Sequence, residues 1–166
     1  PQEFPEDQSG TQGVLVIGSS TGGPQTLSNI ISDFPKDFHI PIIIAQHIPE
    51  NFSNAFAERL NKLSHLIVKE AINREILKPG YVYVAPGGKN ITLKKVNNQT
   101  IIKITKSEND LNLPNINKLF SSASNCFGHK AIGIILTGMG EDGSVGFKDI
   151  KKTGGITLAQ DPADAV

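Results

Sequence analysis

The sequence predicts an α/β fold: a doubly wound, mainly parallel sheet with flanking helices, in a Rossmann-like three-layer arrangement. Two observations predict it. From residue 14 onward, short apolar runs alternate with amphipathic stretches, as in successive βα units. The apolar runs are uninterrupted and rich in β-branched residues, which indicates strands buried on both faces. A small antiparallel hairpin segment is predicted in the middle of the chain.

Two βα units are predicted in the first half of the chain. The runs VLVI (14–17) and IIIA (42–45) predict the strands, and residues 24–34 and 51–63 predict the helices that follow them. In the second helix, Phe52, Phe56 and Leu60 recur at four-residue spacing, which predicts the buried face.

The middle of the chain reads differently, because three short strands are separated by the Gly- and Asn-rich turns PGGKN and NNQ. These strands, over 81–85, 91–95 and 101–105, predict a hairpin or a small antiparallel segment. Pro114 then opens a predicted helix that runs to Ser124. The remaining predicted elements are a strand over 132–136, a helix over 144–152 and a strand over 156–159.

The composition of the 166 residues fits one domain and limits the classes of partner. Sixteen basic residues balance sixteen acidic ones, so no general field favours nucleic acid or an anionic membrane. The lone cysteine, Cys126, excludes an internal disulfide and a Cys-based zinc site, and its setting predicts a partly buried apolar residue rather than a nucleophile. Apolar runs are too short to span a membrane, so we expect a cytoplasmic protein with no membrane insertion.

The first residues differ in composition from the remainder. Residues 1–13 are polar and rich in Pro, Gln and acidic residues, without the periodicity that builds a core, and we expect a linker or tail. Residues 14–166 are expected to form the folded domain, truncated at its C-terminus.

Three loops that carry reactive side chains each follow a predicted strand. G-S-S-T-G-G follows VLVI, Q-H-I-P follows IIIA, and T-G-M-G-E-D-G follows IGIIL. Because ligands bind outside the carboxyl ends of the strands in open α/β sheets, residues far apart in the chain are expected to meet there. The loops supply Ser20, His47 and Asp142.

Ser20 lies in Gly18-Ser-Ser-Thr-Gly22, a G-x-S-x-G pattern in which small neighbours permit a sharp strand-to-helix turn. At such a turn the backbone N–H of Thr21 faces developing negative charge. A simple Gly-rich turn with a capping hydroxyl is the structural alternative. A P-loop needs Lys and Ser/Thr where Pro24 and Gln25 stand, and the dinucleotide fingerprint needs Gly at Ser20 and an acid near Gln46, so a nucleotide-binding module remains the weaker alternative.

Of the four histidines, only His47 is predicted at the edge that carries Ser20. Asp142 is placed to orient His47 and to stabilise its imidazolium. The alternative is that Glu141 and Asp142 only complement the dipole of the helix they precede. A magnesium site lacks a second carboxylate cluster at this edge.

The motifs G-S-S-T-G-G-P, A-Q-H-I-P, L-K-P-G-Y-V-Y-V-A-P-G and I-L-T-G-M-G-E-D-G, in this order, resemble the catalytic domain of chemotaxis methylesterases of the CheB type. The resemblance implies hydrolysis of glutamyl methyl esters on the cytoplasmic helices of chemoreceptors, and deamidation of glutamines, without metal or organic cofactor. It also implies that Ser20 is the nucleophile, His47 the base and Asp142 the orienting acid. Thr21 and Met139 correspond to residues that line the family's active site, with core packing as the alternative role for Met139.

The sequence departs from the family pattern at three places. Leu113-Pro-Asn-Ile-Asn117 replaces the usual Arg-Pro-Ser-x-Asp, and Asn90 replaces a frequent His. The family's N-terminal phosphoreceiver domain is absent from this sequence, although residues 1–13 suit a linker to one, and the family's closing segment beyond Val166 is missing. The changed residues leave open an esterase that acts on a protein outside chemotaxis. An inactive scaffold that binds receptor helices is a separate alternative.

Overall fold

A central sheet of parallel strands organises residues 11–165, the part of the chain that the computed structural model describes. In chain order its strands are β1 (Val14–Ser19), β2 (Ile42–Gln46), β3 (Ile67–Glu70), β4 (Tyr81–Val84), β7 (Ala131–Ile135) and β8 (Ile156–Ala159). Across the sheet the order is β3-β4-β2-β1-β7-β8, with every neighbouring pair parallel. The predicted fold class is confirmed, and the remaining strands β5 (Asn90–Val96) and β6 (Gln99–Thr105) form the separate antiparallel pair.

The central sheet divides the hydrophobic core into two halves. Successive side chains of β1 contribute to each half in turn, because side chains of a strand point alternately to opposite faces. Leu15 and Ile17 lie on the face covered by α1 (Gly23–Asp33) and α2 (Ser53–Leu63). Val14 and Val16 lie on the other face, with α3 (Ile116–Phe127), α4 (Ser144–Lys152) and the β5–β6 hairpin. All four side chains are at most 3% exposed, as the uninterrupted VLVI run predicts.

The strand over Tyr81–Val84 corrects one expectation. Instead of joining the antiparallel segment, β4 lies inside the parallel sheet between β3 and β2. The sequence analysis also did not identify β3, because the short run Ile67–Glu70 ends in two charged residues and carries no clear strand period. The β5–β6 hairpin itself agrees with the prediction, since Asn97 and Asn98 occupy its tight turn with φ of 50° and 61°.

Two helix starts also differ from those predicted. A single 3-10 turn, Glu50–Phe52, precedes α2, and the Phe52 side chain is 61% exposed, so it does not belong to the buried face that Phe56 and Leu60 form. The helix expected from Pro114 begins at Ile116. Asn115 is its cap, with the side-chain oxygen accepting a hydrogen bond from the Lys118 backbone N–H at 2.9 Å.

The predicted linker over residues 1–13 lies largely outside the described residues. Within its last residues, Thr11 is buried and its hydroxyl donates to the Leu77 carbonyl at 3.4 Å. None of the helices formed by residues 11–165 has the length and apolarity needed to cross a membrane.

The strand order changes direction at β1, and this change determines where the loop that carries Ser20 lies. From β1 the chain passes to β2 on one side, while β7 and β8 occupy the other side. The loops that leave β1 and β7 lie side by side at the carboxyl ends of both strands, at the point in the sheet where the connections diverge. The loop that carries Ser20 leaves β1 at this point.

Candidate active site

Backbone hydrogen bonds join the loops that follow β1, β2 and β7. The Ser20 N–H donates to the Thr137 carbonyl at 3.0 Å, and the His47 N–H donates to the Ser19 carbonyl at 3.0 Å. The Thr137 hydroxyl also donates to the Thr21 carbonyl at 3.1 Å. The three loops predicted to meet at one edge of the sheet therefore form one connected surface.

The side chains of Ser20, His47 and Asp142 form a continuous hydrogen-bonded line on this surface. His47 Nδ1 lies 3.0 Å from Ser20 Oγ, and His47 Nε2 lies 2.7 Å from Asp142 Oδ2. Both partners of the second hydrogen bond are shielded, since the His47 and Asp142 side chains are 14% and 8% exposed. Residues separated by 95 positions in the chain are thus in direct contact.

The contacts assign the His47 tautomer. An ionised carboxylate only accepts hydrogen bonds, so Nε2 carries the proton that faces Asp142. Nδ1 then presents its lone pair to the Ser20 hydroxyl, as proton abstraction requires. In triads of the chymotrypsin type the serine faces Nε2 and the acid faces Nδ1, so the two ring nitrogens exchange places here.

Asp142 is held by the first turn of α3, a contact that the sequence analysis missed. Its Oδ2 accepts from the Ile116 N–H at 2.8 Å and its Oδ1 from the Asn117 N–H at 3.1 Å. Burial alone would raise the pKa of the Asp142 carboxyl, but hydrogen bonds from His47 and from the backbone N–H groups of Ile116 and Asn117 outweigh burial, and the pKa lies below its usual value. The charged form of Asp142 is therefore stabilised.

A second polar network supports this end of α3. Asn90, 1% exposed, accepts a hydrogen bond from the Asn115 N–H at 2.9 Å and donates to Asp110 Oδ2 at 2.6 Å. The Lys118 ammonium lies 2.7 Å from the same Asp110 oxygen. Hydrogen bonds, first from Lys118 and then from Ser107 and Asn90, lower the pKa of Asp110 to about 2. Asn90 thus ties β5 to the cap of the helix that holds Asp142.

Thr21 lies in the loop after β1, next to Ser20 in the chain, and Met139 lies in the loop after β7. Both side chains are exposed, Met139 to 74%, so its side chain does not take the core-packing role that was its alternative. Among residues 11–165, neither backbone N–H donates a hydrogen bond to a backbone carbonyl. Gly138 brings the second loop close, since a Cβ at that position would lie 2.8 Å from Ser20 Cβ.

The groove beside Asp142 has a volume of about 450 Å³. Its walls come from the loop before α3 and from the start of α4, and they include Asp110, Asn115, Asn117, Glu141 and Val145. Asn117, one of the departures from the family pattern, faces this groove and accepts from the Gly146 N–H at 2.9 Å. Asn115 and Asn117, two of the substituted positions, thus line the groove next to Asp142.

The other three histidines and the lone cysteine lie away from this line, as predicted. His39, His65 and His129 are exposed and precede β2, β3 and β7 respectively, at the opposite edge of the sheet. Cys126 is buried within α3. The described residues contain no group of three His, Cys, Asp or Glu side chains arranged to hold a metal ion.

Comparison with known proteins decides the family. The model of the family described as CheB methylesterase matches residues 15–166. The chain belongs to the CheB methylesterase family.

Curated CheB relatives are similar along nearly the whole chain. A protein-glutamate methylesterase/protein-glutamine glutaminase of Hahella chejuensis is 46% identical over 92% of this chain, which covers 40% of that protein. The protein of the same name in Thermotoga maritima is 42% identical over 92% of this chain and is covered to 45%. The chain therefore spans less than half the length of the curated relatives it matches.

A solved CheB structure has the same fold. The crystal structure of the Thermotoga maritima CheB methylesterase catalytic domain superposes with a TM-score of 0.90 at 40% identity, covering 94% of this chain and 83% of that one. Membership of the CheB family agrees with the resemblance seen in the four sequence motifs.

Proposed function

We propose that this chain is a serine hydrolase that cleaves glutamyl methyl esters on the cytoplasmic helices of chemoreceptors, releasing methanol. The hydrogen-bonded line from Ser20 through His47 to Asp142 carries the proposal. Relatives named protein-glutamate methylesterase/protein-glutamine glutaminase support the substrate class. The protein is proposed to act in the cytoplasm, with residues 14–166 as the catalytic domain and residues 1–13 as a linker to an N-terminal phosphoreceiver domain in the parent protein.

The first half-reaction forms an acyl-enzyme. His47 Nδ1 takes the Ser20 proton as Oγ bonds to the ester carbonyl carbon, and the imidazolium then gives this proton to methoxide as the carbon–oxygen bond breaks. Asp142 holds the ring and stabilises its positive charge through Nε2. The backbone N–H groups of Thr21 and Met139 hold the oxyanion, and one such donor is worth roughly 10²–10³-fold in rate.

The second half-reaction restores the enzyme. His47 removes a proton from water as the water oxygen attacks the acyl carbon, and the proton passes to Ser20 Oγ as glutamate leaves. With glutamine as substrate, the same tetrahedral step expels ammonia, so deamidation needs no additional residue. Apart from the attacking water, the proposed chemistry uses only side-chain and backbone groups of this chain.

The test is methanol release from methyl-labelled chemoreceptor membranes, with the wild-type chain beside Ser20→Ala. We expect release by the wild type and loss of release in Ser20→Ala with an unchanged melting temperature, because the hydroxyl contributes little to packing. Release that persists in Ser20→Ala would contradict the serine mechanism. Release from another methylated protein but not from receptors would indicate a paralogue outside chemotaxis, and a melting shift with nucleotides would favour the nucleotide-binding module.

A further inference from the structure

Gln46, the last residue of β2, connects the main chains of Ser20 and His47. Its side-chain Nε2 donates to the Ser20 carbonyl at 2.8 Å and to the His47 carbonyl at 3.1 Å. Its Oε1 accepts from the Ser19 hydroxyl at 2.6 Å. The residue is 2% exposed, so water does not compete for these bonds.

The orientation of the Gln46 amide follows from its partners. Backbone carbonyls only accept hydrogen bonds, so the nitrogen must face Ser20 and His47, and the oxygen faces the Ser19 hydroxyl. Both amide protons and the oxygen are used. A carboxylate, a hydroxyl or an apolar side chain cannot reproduce this pattern of two donors and one acceptor.

Gly23 leaves the space that the Gln46 amide occupies. A Cβ at Gly23 would overlap Gln46 Oε1 and would lie 2.8 Å from Ser19 Oγ. The Gly23 N–H also donates to the Ser20 carbonyl at 2.8 Å, so this carbonyl accepts from both Gly23 and Gln46. The turn that presents Ser20 is built around the buried amide.

The sheet alone does not fix the separation of Ser20 and His47. Register pairing of β1 with β2 ends at Ser19 and Gln46, and the last bond of the ladder runs from the His47 N–H to the Ser19 carbonyl. Beyond this point the Gln46 side chain supplies the connection between the two loops. We propose that Gln46 is a positioning residue that sets the distance between Ser20 Oγ and His47 Nδ1, an inference that rests on the proposed roles of Ser20 and His47.

Two substitutions separate hydrogen-bond donation from size. Gln46→Met keeps the length and removes all polar groups, whereas Gln46→Glu keeps the shape and the acceptor for Ser19 but puts an oxygen opposite the two carbonyls. The readouts are kcat and KM for a glutamate methyl ester peptide, the rate of Ser20 phosphonylation by a fluorophosphonate, and the melting temperature.

Both variants are expected to lower kcat and the phosphonylation rate by about 10- to 100-fold, because a misplacement of about 1 Å costs up to 10²-fold. KM is expected to change by less than about twofold, since Gln46 is buried beneath the loops and not at their surface. The Gln46→Glu variant is expected to react no faster than Gln46→Met, although it preserves the size and the acceptor.

Ser124→Ala is the matched control. Ser124 is 2% exposed and bonded to the Asp149 carbonyl and the Thr153 hydroxyl, between α3 and α4 and away from Ser20. It is expected to lower the melting temperature without changing kcat. Gln46 variants that behave like Ser124→Ala, with reduced stability and wild-type phosphonylation, would overturn the inference.

Ser19→Ala tests the positioning role of Gln46 if both Gln46 variants fail to fold. It removes only the hydroxyl that orients the amide, so kcat is expected to fall in the same direction by a smaller factor, and an unchanged kcat would overturn the inference. A wild-type chain that neither reacts with the phosphonate nor cleaves the ester would overturn the proposed function itself.

Discussion

The Asp142 carboxylate accepts a hydrogen bond from the backbone N–H of Ile116, with 2.8 Å between the two heavy atoms. Ile116 begins α3, whereas Asp142 lies in the loop that leads to α4. The acid therefore complements the N-terminus of a helix that precedes it in the chain, and the same Oδ2 contacts His47. The sequence analysis gave a dipole role toward α4, the helix that Asp142 precedes, as the alternative to the contact with His47. The carboxylate instead contacts His47 and the N-terminus of α3 together.

Asp142→Asn is expected to lower turnover by roughly 10³–10⁴-fold with little change in KM, because the amide no longer fixes the proton on His47 Nε2. The remaining carbonyl oxygen still accepts from the first turn of α3, so the fold is expected to persist. Glu141→Gln, at the exposed neighbouring position, is the control and is expected to retain wild-type turnover. Equal kcat in wild type and Asp142→Asn would leave Asp142 with a helix-capping role only.

The contribution of Asp142 to the stability of the fold is expected to decrease at acid pH. Its pKa is lower in the folded state than in the unfolded chain, where a free Asp titrates near 3.9, so the contribution is complete above about pH 5 and is lost as pH falls through the lowered pKa. The measurement is the melting temperature of wild type and of Asp142→Asn between pH 7 and pH 2.5. The difference in melting temperature between the two proteins should decrease below about pH 4. A gap that stays constant would contradict the assigned ionisation.

Gly138→Ala is expected to displace Ser20. The added Cβ would lie 2.8 Å from Ser20 Cβ and 3.2 Å from its backbone nitrogen, neither of which is the end of a flexible side chain. We expect kcat to fall by at least about tenfold, since reacting groups must lie within roughly 3–3.5 Å. Gly80→Ala is the control, because Gly80 has φ of 79° and open space around it, far from the three loops. Its expected effect is a lower melting temperature with unchanged kcat.

Asn90→Ala is expected to lower the free energy of unfolding by about 1–3 kcal/mol, because the half-buried Asn115 N–H loses its acceptor. Urea denaturation measures the change. Asn125→Ala, at an exposed position of α3, provides the comparison and is expected to change the free energy by less than about 0.5 kcal/mol. A similar decrease in the free energy of unfolding in both variants would show that the contact between Asn90 and Asn115 contributes little to stability.

The sequence was sufficient where local patterns carry the information. VLVI and IIIA predicted β1 and β2, and loop positions after the strands predicted that Ser20, His47 and Asp142 meet. Tyr81–Val84 was wrongly assigned to the antiparallel segment, because the turn that follows it suggested pairing with the next strand. Its actual parallel partners, β2 and β3, come from other parts of the chain, and the sequence carries no sign of that pairing. Strand pairing of this kind depends on tertiary packing.

The role of the Gln46 side chain was also beyond the sequence analysis. Gln46 was noted only because it stands where a dinucleotide-binding protein has an acid. A polar residue at the end of the apolar run IIIA, directly before His47, was the available signal. Two of its three partners are backbone carbonyls, those of Ser20 and His47, and contacts to backbone atoms leave no residue pattern in the sequence.

The parallel register of β1 and β2 pairs Ser19 with Gln46, one position before Ser20 and His47. The distance between the Ser20 and His47 side chains therefore depends on the paired strand ends and the Gln46 side chain, and not on the connection through α1 and the turn after it. Insertions in the exposed turn around Pro35 to Asp37 would lengthen the connection without moving either strand end. Changes in the length of that connection, whether by evolution or by design, can therefore occur while Ser20 and His47 keep their relative positions.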